Sequence, residues 1–437
     1  MKDQILSNIG NPRQLEKLYR ADKTAFRHAF SDLSPELSDN PLVKFWNERL
    51  NFSSDEIAPG ARKDLIFVVT AALTAGIIAK FPAIFSINEE FFYSRNIGFI
   101  VFPFLTAYFA WKNNMATNTI IFIMISTLSG LIFINFLPEE PKSDTLILSC
   151  IHLPLVLWST LGLAFVGGQI KNSEKLLGFL RYNGELVVMT TLILIAGGIM
   201  TGVTIGLFSL IGLNIEEFYF QFVVVFGLAA APLMGTYLTR TNPQLVGKVA
   251  PVIAKIFSPL VLMMLVIYLL AMIYSGKDPY NDREFLLMFN ALLVGVMTII
   301  FFSVAETSSA HRRRVEVWIL FLLSAITIIV NGIALSAILF RISEWGLTPN
   351  RAAVLGGNVF ILIHLLLVTV QLLRILSGKT DIAAVGKAIA HYLPVYYFWA
   401  IVVTFIFPLI FQSNNRPGAT EVGSLNAYEG TIWNFKP

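Results

Sequence analysis

Residues 317–340 read VWILFLLSAITIIVNGIALSAILF, a run with no charged side chain. The hydrocarbon core of a bilayer is about 30 Å thick, and a helix needs about 20 apolar residues to cross it. Lipid offers no water to the backbone, so such a run satisfies its N–H and C=O groups only as a helix. Outward from this stretch the same character recurs, and eleven spans are read: Leu65–Phe85, Ile97–Trp111, Asn118–Phe136, Leu146–Gly168, Leu186–Leu213, Phe218–Leu238, Val252–Tyr274, Phe285–Ala305, Val317–Phe340, Ala353–Leu373 and Tyr392–Phe411. The second is short. Alternation with a period of two over about ten residues is missing, which excludes an outer-membrane barrel.

Composition agrees. Of 437 residues, 55% are hydrophobic and 14% charged, against about 25% charged in soluble domains. Mean hydropathy is +0.68. An ordinary soluble enzyme is excluded, and so is a disordered chain, which would be poor in apolar residues. The net charge is +4, but no run of Lys and Arg is long enough to address nucleic acid. The lone cysteine, Cys150, rules out an intrachain disulfide and a thiolate-held zinc or iron–sulfur centre. Met1 to Lys63 holds no signal-peptide core, so the first span is read as an uncleaved anchor.

Loop charges orient the chain. With the N-terminus inside, the cytoplasmic loops carry twelve cations: Lys112, Lys171, Lys175, Arg181, Arg240, Lys248, Arg312, Arg313, Arg314, Arg374, Lys379 and Lys387. The outer loops carry six: Arg95, Lys142, Lys277, Arg283, Arg341 and Arg351. Positive charge stays inside, and the outer loops are acidic at Glu89–Glu90, Glu139–Glu140 and Glu216–Glu217. An odd number of spans then places the C-terminus outside. The expected fold is all-α: a polytopic transmembrane helix bundle over residues 64–411, a small cytoplasmic helical hairpin over 1–63, and an irregular outer tail over 412–437, anchored by Tyr428 and Trp433.

In the N-terminal region, Asn11-Pro12 and Asn40-Pro41 are helix starts, a capping side chain followed by Pro at the first helical position. Leu15, Leu18, Tyr19, Phe26, Ala29, Phe30 and Leu33 form one apolar stripe, and Leu42, Phe45, Trp46 and Leu50 a second. The stripes either pack on each other or offer residues 12–50 to a cytoplasmic protein partner.

Soluble catalytic motifs are missing: no phosphate loop, no His-Glu-x-x-His, no Gly-x-Ser-x-Gly. Five scattered histidines form no i, i+3 or i, i+4 pair. No catalytic residue, metal or cofactor is therefore assigned. Polar groups inside spans are costly and mark candidate sites. Asn331 lies in the ninth span. Asn358, His364 and Gln371 lie in the tenth, where Gly357, His364 and Gln371 share a face. They are read either as glue between helices or as the lining of a hydrated pocket. Lys80 is expected to snorkel outward and Glu306 to pair with the Arg312–Arg314 loop. Gly198, Gly202 and Gly206 predict a ridge for close helix approach. Pro82 and Pro232 sit late in the first and sixth spans, as broken helices of inverted repeats do, although no sequence match joins the halves.

Between spans nine and ten, Thr348-Pro349 starts a helix and puts Arg351 in its first turn, against the positive end of the dipole. That cost predicts an anionic partner, either Glu344 or a small anion or lipid headgroup, with Arg341 beside it. The same loop, Gly346-Leu-Thr-Pro-Asn-Arg351, resembles a bacterial multi-pass family known only as the domain of unknown function numbered 4153. Leu15-Glu-Lys-Leu-Tyr-Arg20, Phe26 and Trp46-Asn-Glu-Arg-Leu50 are similar to leader segments of some members. The resemblance implies a bacterial inner (cytoplasmic) membrane location and implies no activity.

Three functions stay open: a permease-like or flippase-like transporter, with Asn331, Asn358, His364 and Gln371 around a pocket and Arg341 and Arg351 at its mouth; a non-catalytic scaffold working through the N-terminal hairpin; and an intramembrane enzyme acting on a lipid-linked substrate.

Overall fold

The computed structural model describes residues 1–33, 40–51, 61–138, 143–275, 280, 283–306 and 314–412. The loop residues Glu139, Glu140, Lys142, Lys277, Arg312 and Arg313, and the tail with Tyr428 and Trp433, lie outside them. The chain divides into two compact units, Met1–Asp64 and Leu65–Pro437.

The first unit holds α1 (Lys2–Ser7), α2 (Pro12–Ala21), α3 (Lys23–Leu33) and α4 (Pro41–Asn51). Asn11 caps α2 by accepting from the Gln14 N–H at 3.2 Å, and Asn40 accepts from the Leu42 N–H at 2.9 Å. The expected hairpin is a four-helix cluster instead. Asp22 breaks the first long helix, because its carboxylate accepts from the Ala25 N–H at 2.9 Å and so caps a new one. Ile5, Leu15, Phe26, Phe30, Val43, Trp46 and Leu50 are buried together. The stripe on α4 is Val43–Trp46–Leu50; Phe45, expected inside it, is 59% exposed.

Glu16 ties this cluster electrostatically. It accepts from Arg20 at 2.8 Å and pairs with Arg49 at 2.8 Å. The Arg20 hydrogen bond, with Arg49 beside it, holds the Glu16 carboxyl below its ordinary value of 4.5. A folded value below the unfolded one stabilises the fold fully above pH 4.5, and that stabilisation is lost as the pH falls through the folded value. Glu16→Gln is expected to lower the unit's stability slightly at neutral pH and to flatten its acid limb. Urea unfolding of α1–α4 at a series of pH values checks this; parallel acid limbs in wild type and variant would show that Glu16 contributes nothing.

The second unit contains α5 (Ala61–Ala79), α6 (Phe81–Phe85), α7 (Glu89–Lys112), α8 (Thr117–Phe136), α9 (Asp144–Phe165), α10 (Ser173–Leu210), α11 (Glu216–Phe218), a π-helical segment (Tyr219–Val224), α12 (Val225–Thr241), α13 (Pro243–Ser275), α14 (Arg283–Glu306), α15 (Arg314–Trp345), α16 (Pro349–Leu376), α17 (Ile382–Ile401), a second π-helical segment (Val402–Ile406) and α18 (Phe407–Gln412). There is no strand among the described residues, and eight helices are long and apolar enough to cross a membrane. The fold is an all-α helical bundle suited to lipid. The second predicted span is the middle of α7, whose 24 residues include buried Arg95 and Asn96. This helix lies within the bundle and therefore needs less apolar surface than its neighbours.

Two large apolar cores, with smaller clusters around Leu153 and Val403, organise the unit. One gathers α5, α7, α9, α10 and α12 around Ala75, Phe109, Leu161, Tyr182 and Leu233. The other gathers α13 to α17 around Leu265, Phe289, Leu323, Leu365 and Ile389. Helix α10 touches both: Phe179 and Tyr182 enter the first core, while Leu180 packs against the second. Pro408 lacks an N–H, which frees the carbonyl of Thr404 four residues back. Ser149 Oγ donates to that carbonyl at 2.8 Å and joins α9 to the last helix.

Two expectations are corrected here, the glycine ridge and the matching prolines. The Gly198–Gly202–Gly206 face meets no atom within 4 Å of a Cβ position among the described residues. The packing glycine of α10 is Gly184, whose missing Cβ seats the ring of Phe302. Lys80 ends α5 and lies over the Phe222 ring at 4.8 Å. Pro82 opens α6 whereas Pro232 stays inside α12, so the two prolines do not play matching roles.

Candidate functional site

Three of the four polar candidates of spans nine and ten, Asn331, Asn358 and His364, are buried in the second core. α15 and α16 pack along their length, and their buried residues include Ser324, Thr327 and Asn331 on α15 and Asn358, His364 and Val368 on α16. Asn331 Nδ2 donates to the Asn358 carbonyl at 3.2 Å, and Asn358 Nδ2 donates to Asn290 Oδ1 at 2.9 Å. These bonds tie α14, α15 and α16 at one level. Asn331 Oδ1 is buried without a partner. Thr369 Oγ1 donates to Ser324 Oγ at 3.0 Å lower in the same seam.

His364 is fully buried in an aromatic cage. Its ring lies 4.6 Å from Phe301, 4.5 Å from Tyr392 and 5.6 Å from Tyr396. Nδ1 is 3.0 Å from the Tyr396 hydroxyl, which in turn lies 3.7 Å from Met297 Sδ. Nε2 is buried with no hydrogen-bond partner among the described residues. A buried polar atom left without a partner costs about 1–3 kcal/mol, so this nitrogen, like Asn331 Oδ1, is an unsatisfied group in the core.

Gln371 stands apart from the other three. It lines a groove of about 370 Å³ between α16 and α17 with Leu367, Lys387, His391 and Tyr392. The Tyr392 ring belongs to both groove and cage, so one ring separates the groove from His364.

Arg341 and Arg351, expected at an anion site, each donate to backbone carbonyls in this structure. Gly346, at φ +76°, ends α15, where its N–H bonds the Ile342 carbonyl. Thr348 Oγ1 then accepts from the Arg351 N–H at 3.3 Å and caps α16, with Pro349 in its first turn. Arg351 Nη1 donates to the carbonyls of Trp345 and Gly346 at 2.8 and 2.7 Å. The cation expected to need Glu344 or a ligand is neutralised by the carbonyl end of the preceding helix, whose dipole is negative there. Arg341 Nε donates to the Tyr280 carbonyl at 2.8 Å, and both guanidiniums lie within 6 Å of the Trp345 ring, at 5.8 and 5.7 Å. The motif of this loop is a helix corner in which Gly, Thr, Pro and Arg each have a structural task.

Sequence reasoning missed three charged positions. Arg95, counted as a loop residue, is buried in α7, and its Nη1 donates to the carbonyls of Ile134 and Leu137. Arg181 Nε and Nη2 donate to the Ala305 carbonyl at the end of α14 and so join the two cores. Beside that strap, Glu306, expected to pair with the Arg312–Arg314 loop, has Oε1 buried without a hydrogen-bond partner among the described residues, which leave out Arg312 and Arg313, and Glu185 and Arg181 lie within its electrostatic reach. The spacing of Arg181 and Glu185, one turn apart before an apolar run, was the available signal.

Among the described residues no group of three or more His, Cys, Asp or Glu side chains could hold a metal ion. No family model, curated protein or solved structure matches the chain.

Proposed function

We propose that the chain is a permease-like or flippase-like transporter of the bacterial inner membrane, crossing it eleven times with the N-terminus inside and the C-terminus outside. The observation that carries this reading is His364, held at the centre of the second core with Nε2 unpaired and one aromatic ring from an open groove. The imidazole partners the Tyr396 hydroxyl through Nδ1 and leaves Nε2 for a ligand in a pathway that opens between α16 and α17. The Gly346–Arg351 corner supports membership in family 4153 only as a resemblance, and the inner-membrane location is proposed with it. A scaffold role is favoured by one observation, the separate core of the N-terminal unit.

The test uses Cys150→Ala as background and single cysteines at Asn331, Asn358, His364 and Gln371, probed in intact membranes with a small impermeant thiol reagent. A transporter exposes Asn331→Cys and His364→Cys to the reagent, although both positions are fully buried in this structure. Labelling confined to Gln371→Cys, with all variants folded, would overturn transport and leave the scaffold.

A further inference from the structure

The groove between α16 and α17 exists because small residues meet long ones. α17 carries Ala384 and Ala388 one turn apart, and α16 carries Leu367 and Gln371 at the same spacing. The walls are mostly apolar, and Leu367 is 44% exposed, on a surface that faces lipid in a spanning helix. The rim is cationic. Lys387 and His391 are exposed one turn apart on α17. His391 Nδ1 bonds the Lys387 carbonyl at 2.7 Å. A carbonyl only accepts, so Nδ1 carries a proton, and the free Nε2 donates to an anion when the ring takes up a second proton to become the imidazolium.

The charge around this rim is one-sided. From residue 374 to residue 391 the chain carries Arg374, Lys379 and Lys387 against one carboxylate, Asp381. Asp381 is already engaged, accepting from the Ala384 N–H at 3.3 Å as the cap of α17. Lys387 enters no ion pair among the described residues. A small inorganic anion would meet the cations and leave the apolar walls uncovered. A neutral acyl chain would do the reverse. An amphiphile with an anionic head satisfies both, and basic pockets between membrane helices on the cytoplasmic side favour such headgroups.

We propose that this groove binds an anionic phospholipid, with its phosphate at Lys387 and His391 and an acyl chain along Leu367, Ala384 and Ala388. The inference rests on the transport reading for its consequence, that the lipid is the transported substrate and the groove its point of entry toward Tyr392 and His364.

The full chain in detergent would be titrated with phosphatidylglycerol, phosphatidylcholine and inorganic phosphate, following thermal unfolding and the lipid retained in native mass spectra. Wild type is expected to prefer phosphatidylglycerol over phosphatidylcholine by about fivefold or more, the scale of one cationic contact at a membrane surface. Lys387→Gln with His391→Gln should erase that preference, Lys387→Arg should keep it, and Ala388→Leu, which fills the groove, should weaken both lipids together. A preference unchanged in the double variant would overturn the site. Protection by inorganic phosphate equal to that by phosphatidylglycerol would overturn the lipid and leave a free-anion site. Failure here does not alter the labelling of Asn331→Cys and His364→Cys. Conversely, lipid bound at the groove with those cysteines silent would overturn transport alone.

Discussion

Trp46→Ala unfolds the N-terminal unit and leaves the membrane bundle standing. Trp46 is 2% exposed, and its ring lies 5.1 Å from Phe26, 5.6 Å from Tyr19 and 6.3 Å from Phe30, with the Arg49 guanidinium 4.8 Å from its centre. It is therefore the hub of a core of nine buried residues. Truncating a buried Trp costs about 3–5 kcal/mol, and a unit of this size rarely has more than about 3–5 kcal/mol to lose. Hydrogen exchange on the full chain should show the amides of α2, α3 and α4 losing about a hundredfold or more of their protection, with α9 and α16 unchanged. Phe45→Ala, one residue away and 59% exposed, serves as the control and should leave exchange within about twofold, since surface substitutions stay within about 0.5 kcal/mol. Equal effects of the two would show that the core is placed wrongly.

Arg95→Leu is expected to release α8 from α7. Helix α8 faces mostly outward and buries only Ile123, Gly130 and Ile134. Its last carbonyls have no donors within the helix. Arg95 supplies them, donating to Ile134 and to Leu137 while its guanidinium lies 4.4 Å from the Phe91 ring. The reciprocal amide pair of Asn96 and Asn135, at 3.0 and 2.8 Å, is the other polar tie. Hydrogen bonds to charged groups contribute about 1.5–3 kcal/mol each, and the carbonyls would lose their donors in an apolar setting, so a loss of about 3–5 kcal/mol is expected. Thermal unfolding in detergent measures it. Arg95→Lys, which keeps the charge but not the planar fork, should fall between the two. An Arg95→Leu variant that unfolds at the wild-type temperature would reduce the clamp to an incidental contact.

These two residues also mark how far the chain can be read before it is folded. Trp46 and Phe45 are adjacent aromatics, and spacing alone admitted both to one stripe. Val43, Trp46 and Leu50, with Leu42 beside them, turn toward the core while Phe45 turns out, and only the neighbours Phe26 and Phe30 decide which. Caps were legible because their partners lie within three residues: Asn11 with Gln14, and Thr348 with Arg351. Arg351 was legible as a cation at a helix start but not as the clamp of the preceding helix, since that role depends on where the carbonyls of Trp345 and Gly346 turn. The candidate site was half legible. Asn331, Asn358 and His364 stood out as polar residues in apolar runs, whereas Met297, Tyr392 and Tyr396, which complete the surroundings of His364, lie on other helices with no local mark.

The sequence by itself determined that this chain is a bundle of apolar helices for a bilayer, because hydrophobicity, run length and the demand for backbone hydrogen bonds are local properties. The tertiary structure alone decided which polar groups are spent and which are free. Helix packing consumed Arg341 and Arg351 at carbonyls, left the Gly198–Gly206 face bare, buried His364 with one nitrogen unpaired, and opened a groove where Ala384 and Ala388 meet Leu367 and Gln371. Whether a side chain is satisfied depends on atoms far along the chain, and only folding brings them within 3 Å.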